Sequence, residues 1–123
     1  MKGLQKLVLT QPARDKLLSL ITPRHSVVHA SHVTLEFGEI TDHIDTFNDV
    51  KVIGYQTTSY LDVLVIAING SYTRKFDKKI LHITLSTSPG IPPVCSNDVL
   101  EEMLFQPIAC IPLQVNLETV TFN

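Results

Sequence analysis

Tryptophan is absent from this chain, cysteine occurs only twice and glycine five times in 123 residues, and charged side chains make up only 18%. Each shortage closes off a class of protein. Cys95 and Cys110 stand neither in a Cys-x-x-Cys pair nor at a Cys/His ligand spacing, which argues against a disulfide framework or structural zinc and leaves two ordinary thiols. No Gly/Ser linker, charge block or low-complexity tract marks a boundary, so a single domain over 1–123 is predicted. A net charge of −2 gives no generic attraction to nucleic acid or acidic membranes, so any nucleic-acid contact must be local. No apolar run is long enough for a signal peptide or a membrane span. The expectation is a cytoplasmic protein, or a nuclear one in a eukaryote, with no membrane partner and more monomeric than oligomeric.

What the chain has is a hydrophobic fraction of 44%, rich in β-branched runs. Residues 4–10 predict a short first strand, and Pro12 with Ala13, Leu17, Leu18 and Ile21 predicts a helix over 12–21 that Pro23 stops. Residues 26–37 predict one strand closed by Gly38, and 39–49 a polar loop with a helical turn near Ile44 and Phe47. The runs 50–58 and 60–68 predict an antiparallel pair, the second apolar enough to be covered on both faces at the middle of a sheet. A strand over 80–86 follows, and then the Pro-rich loop from Pro89 to Pro93. Asp98 and Glu101 resemble a capping box that would open a helix over 98–105, its apolar stripe formed by Val99, Leu100, Met103 and Leu104. The alternating tail after Ile108 predicts one or two final strands. The sum is an α+β fold with mostly antiparallel sheets and about two helices.

Two four-residue stretches echo each other: His32-Val33-Thr34-Leu35 and His82-Ile83-Thr84-Leu85. On a strand the His and Thr of each copy point to the same face. A cleft shared by both faces would hold two imidazoles, one to take a proton and one to give it, and two hydroxyls to hold phosphate oxygens. That set suits opening a phosphodiester without a metal. A single His-x-Thr says little; two copies on independently predicted strands say considerably more.

The pair resembles the double His-x-Thr/Ser signature of the two-histidine (2H) phosphoesterases. The second copy with its sequel, Pro92-Pro93-Val94 to Ser96-Asn97, is most similar to the carboxy-terminal cyclic phosphodiesterase domain of fungal tRNA ligases and related RNA-repair-like proteins. The resemblance covers about residues 27 to 100. It implies a two-lobed fold with one motif from each lobe in a central cleft, no cofactor, and catalysis by His32, Thr34, His82 and Thr84. The chain is shorter than most members, and strands without a convincing helix separate Leu35 from His82, so one lobe is expected to be reduced.

Several other residues fit the same site. Ser86, two beyond Thr84, is expected on its face. Arg74, Lys75, Lys78 and Lys79 form the main basic cluster, either a solvated loop or a phosphate grip, with Lys79 as candidate substrate contact. Tyr55, Tyr60, Tyr72 and Phe37 can stack a base or fill the core, and Tyr55 is the substrate-binding candidate. His25, His29 and His32 have a helical ligand spacing, but a strand puts His25 and His29 on the face opposite His32, so no metal site is expected. His43 reads as a surface residue of the polar loop.

The leading expectation is a metal-independent phosphodiesterase hydrolysing an RNA 2′,3′-cyclic phosphate end. The alternatives are a hydrolase of cyclic nucleotide or oligonucleotide messengers, as some viral members of the superfamily are, and a nucleotide- or RNA-binding module without turnover. The partner in every case is an RNA end or a cyclic nucleotide.

Overall fold

The computed structural model describes residues 2–39, 49–75, 77–102 and 104–122. His43 and the helical turn expected near Ile44 and Phe47 lie outside them. The described chain is α+β, with two helices and two antiparallel sheets. In chain order the elements are β1 (Lys2–Leu9), α1 (Gln11–Leu20), β2 (Val27–Val28), β3 (His32–Glu39), β4 (Val50–Thr57), β5 (Leu61–Ile68), β6 (His82–Thr87), α2 (Cys95–Glu102), β7 (Gln106–Pro112) and β8 (Val115–Thr121). One sheet has the order β3-β1-β8 and the other β2-β6-β5-β4-β7.

Helix α1 starts where Thr10 caps it, the Thr10 hydroxyl accepting from the Ala13 N–H at 3.2 Å, with Pro12 in the first turn. Its Leu17, fully buried, joins Leu7, Val33, Leu64, Ile66 and Ile83 in a core that binds both sheets together. The other face of β5 packs Leu61, Val63 and Val65 on Val99 and Leu100 of α2. Strand β5 is thus covered on both sides, as its unbroken apolar run predicts.

Two expectations fail locally. Residues 26–37 are two strands in different sheets: β2 pairs with β6, β3 pairs with β1, and Ala30 turns the chain between them at φ 46°. The β-branched composition signals extended backbone but not the break, because alanine seldom enters the left-handed region. Helix α2 begins at Cys95 and not at Asp98. Chain reversal at Pro92 and Pro93 already supplies i to i+3 bonds from the N–H groups of Cys95, Ser96 and Asn97 to Pro92, Pro93 and Val94. Asp98 and Glu101 then lie inside the helix, and Leu104 falls beyond its end, 93% exposed.

Candidate active site

Val33 and Ile83 sit in the shared core, so strand alternation turns His32 and Thr34 of one sheet, and His82 and Thr84 of the other, away from it. All four line one open cavity of about 590 Å³ to which both sheets contribute residues. The two strands are tied through the segment between β2 and β3: the N–H groups of His29 and Ala30 donate to Leu85 and Thr84 carbonyls at 2.9 and 3.0 Å, and the N–H of Leu9 donates to Ser31 at 3.0 Å. The left-handed turn at Ala30 therefore carries the chain from one sheet to the other and fixes the two motifs together.

Around the imidazoles the groups differ. The Nδ1 of His82 donates to the Ile80 carbonyl at 2.8 Å, so the neutral ring has a bare Nε2. The Nδ1 of His32 lies 3.3 Å from the Ser31 hydroxyl, which can give or accept. Both pKa values are below the ordinary imidazole value of 6.5. For His32 the main cause is burial, then the Lys6 cation; Glu118 pulls the other way. For His82 it is again burial, opposed by the bond to Ile80, with Arg74 and His32 adding to the lowering. The Thr84 hydroxyl shares a 2.8 Å bond with the fully buried Ser96 hydroxyl and donates to the Pro93 carbonyl at 3.2 Å.

The basic cluster resolves into one cavity residue. Arg74, 7% exposed, lines the cavity, its Nε and Nη2 donating to the Asp77 carboxylate at 3.0 and 2.7 Å and its Nη2 reaching the Asn97 oxygen at 3.4 Å. Lys79 is not in the cavity wall; its ammonium pairs with Glu101 of α2 at 3.6 Å. The sequence marks the cluster but not which member turns inward, which the Arg74 to Asp77 pair decides.

Among the four candidate aromatics, Phe37 lines the cavity and Tyr55 does not; Tyr55 packs against the core between the sheets. Phe37 reaches the His32 face because β3 carries an extra residue, Leu35, where Gln5 and Lys6 face Glu36 and Thr34. The bulge makes the rungs of this face His32 with Val8, Thr34 with Lys6, and Phe37 with Leu4.

A second bulge removes Ser86. Asp62 faces Ser86 while the next residue, Val63, faces Thr84, so one step on β5 spans two on β6 and the face reverses. Ser86 is fully buried, its hydroxyl donating to Asp62 and accepting from the His25 N–H at 3.1 Å. The face assignment of His29 is likewise corrected: because β2 and β3 are separate strands, His29 lines the cavity beside His32, its Nε2 3.0 Å from the Thr87 hydroxyl. Among the described residues no three His, Cys, Asp or Glu side chains converge as a metal-ligand set.

No protein-family model and no solved structure matches the chain. A stretch of 57 residues, 46% of the chain, is 39% identical to part of the pre-mRNA-processing ATP-dependent RNA helicase prp5 of Aspergillus niger. The match spans 5% of that helicase's length.

Proposed function

We propose that this protein is a metal-independent phosphodiesterase of the two-histidine kind that hydrolyses a cyclic phosphate, with an RNA 2′,3′-cyclic end as substrate. The observation that carries the reading is that two His and two Thr, from strands of separate sheets, line a single cavity. The acid–base pair would come from one chain, so a monomer suffices.

His82 is the base. Its Nδ1–H is held by Ile80, which leaves the Nε2 lone pair to take a proton from water. The water oxygen bonds to phosphorus, the bond from phosphorus to one ribose oxygen breaks, and His32 as imidazolium protonates that leaving oxygen. His82 ends charged and His32 neutral, and exchange with solvent through the open cavity resets both. Thr34 and Thr84 donate to the non-bridging oxygens as their charge grows. For Thr84 this means turning its proton from Pro93 to the phosphate while Ser96 keeps donating to its oxygen.

The apolar rung of Leu4 and Phe37 favours a nucleoside over a bare phosphodiester. It lies two residues of β1 beyond the Thr34 rung, roughly 7 Å along the strand, the scale of one ribose. Phe37, with Phe122 edge-on at 5.8 Å, offers an exposed ring on which a base can stack. The similarity of part of the chain to an RNA-processing helicase agrees with an RNA substrate and assigns no activity.

The test is incubation in EDTA with an RNA carrying a 2′,3′-cyclic phosphate, beside a panel of cyclic mono- and dinucleotides, with product analysis. Opening of the RNA end is the expected result. Turnover of the cyclic dinucleotides alone would move the reading to messenger destruction, and binding without turnover would make the protein a nucleotide-binding module.

A further inference from the structure

Strand β1 lies at the centre of the three-stranded sheet, and its Lys6 stands directly between Thr34 of β3 and Glu118 of β8. Residues opposed across antiparallel strands share a face, so Thr34, Lys6 and Glu118 form one rung on the side that carries His32. The Lys6 ammonium lies 3.8 Å from Glu118, and its side chain is 21% exposed against 52% for Glu118. So long and solvated a pair adds little to stability, which leaves its place on the catalytic face to be explained otherwise.

Chemistry supplies a role. A phosphodiester brings one negative charge into the cavity and gains a second as water adds to phosphorus. Among the described residues Arg74 is the one Lys or Arg in the cavity wall, and it is already matched by Asp77 through two hydrogen bonds; Lys6 lies beside the wall on the Thr34 rung, its ammonium drawn to Glu118. Lysine's flexible stem and compact ammonium suit a cation that moves between two anions. We propose that Lys6 is the cation that meets the substrate phosphate beside Thr34, and that Glu118 holds Lys6 in place between turnovers. The inference rests on the phosphodiesterase reading for the identity of the anion.

The charged and titratable groups around His32 make the arrangement measurable. They are Lys6 on β1, Glu118 on β8, His29 in the segment before β3, and His82 on β6, with Arg74 and Asp77 beyond His82. Lys6 and Glu118 act on His32 in opposite directions, Lys6 opposing its protonation and Glu118 favouring it. Removing one or the other must move the His32 titration in opposite senses.

The experiment follows the His32 ring by NMR through a pH titration, with and without inorganic phosphate, in the wild type and in Lys6→Met, Lys6→Arg and Glu118→Gln. Lys6→Met is expected to raise the His32 midpoint and weaken phosphate binding by at least about tenfold, the worth of one hydrogen bond to a charged group. Lys6→Arg should restore binding, and Glu118→Gln should lower the His32 midpoint without weakening binding. Unchanged phosphate affinity in folded Lys6→Met would overturn the proposal. If Lys6→Met does not fold, an unmoved His32 midpoint in Glu118→Gln, or phosphate binding lost on that substitution, overturns it alone. Turnover of the cyclic RNA end is assayed in parallel. Lys6-dependent phosphate binding without any turnover removes the phosphodiesterase reading and keeps the cation; turnover with Lys6-independent binding does the reverse.

Discussion

The imidazole of His82 donates from Nδ1 to the carbonyl oxygen of Ile80, two residues back on its own chain, at 2.8 Å. A carbonyl only accepts, so this bond selects the tautomer with hydrogen on Nδ1 and makes Nε2 the basic atom. In ¹⁵N NMR above the titration range, His82 is expected to show the Nδ1–H form. Finding hydrogen on Nε2 would take the base role from His82.

The pH dependence of kcat/KM follows from the two lowered pKa values. The proposed reaction needs His82 neutral and His32 charged, so on that mechanism the rate rises as His82 loses its proton and falls as His32 loses its own. A bell with these limbs peaks midway between two values that both lie below 6.5, so the maximum is expected on the acid side of 6.5. A plateau extending through neutral pH would show that one imidazole is not titrating as part of the reaction.

Stability responds to the same two groups. Each has a folded pKa below its unfolded value of 6.5, chiefly because burial disfavours the charged ring, so protons bind more readily to the unfolded chain. The contribution is fully present above about 6.5 and is lost as pH falls through the lowered folded values. Tm is therefore expected to drop on acidification from pH 7, and replacing His32 and His82 with Gln should flatten that drop. An identical slope in the double variant would place the titrating groups elsewhere.

Most of this arrangement was legible in the sequence, and which side chains share the cavity face was the part that was not. The His-x-Thr echo, the buried run of β5 and the capped start of α1 rest on short-range periodicity and local hydrogen bonding, which a sequence carries directly. Ser86, Phe37 and His29 depend on where the period of two is interrupted. The extra residues at Leu35 and Leu85, and the left-handed turn at Ala30, reset which side chains share a face, and no residue type at those positions announces it. Lys6 is invisible for another reason: its position beside Thr34 comes from strand pairing across 28 residues.

Single His32→Ala and His82→Ala replacements are each expected to cost at least about a hundredfold in rate. The double variant should lose far less than the product of the two, because a base without its acid partner has little left to contribute. Additive losses would mean that the two imidazoles act in separate steps. Wild-type turnover by either folded single variant would end the enzyme reading.

The two threonines are expected to separate in stability more than in rate. On the proposed mechanism Thr34→Val and Thr84→Val each remove one donor to the phosphate, a loss of at most about 2.7 to 4 kcal/mol in transition-state stabilisation by analogy with an oxyanion-hole donor. Thr84→Val also deprives the fully buried Ser96 hydroxyl of its partner, which should cost a further 1 to 3 kcal/mol, roughly, in folding stability. Urea denaturation beside kinetics checks this; equal stability of the two variants would show that the Thr84 to Ser96 bond carries no weight in the fold.

Ser86→Ala tests the register shift that takes this residue out of the site. Its hydroxyl donates to Asp62, a fully buried carboxylate that also accepts from the Arg24 N–H at 3.1 Å. Removing the hydroxyl leaves a buried charge short of one donor, so unfolding free energy should fall by about 1 to 3 kcal/mol or somewhat more, since the orphaned group is charged. The cavity lies on the other face of β6, so kcat/KM for the cyclic RNA end should stay at the wild-type value in the folded variant. A loss of turnover with stability intact would place Ser86 back beside Thr84, and the bulge at Leu85 would then not exist in solution.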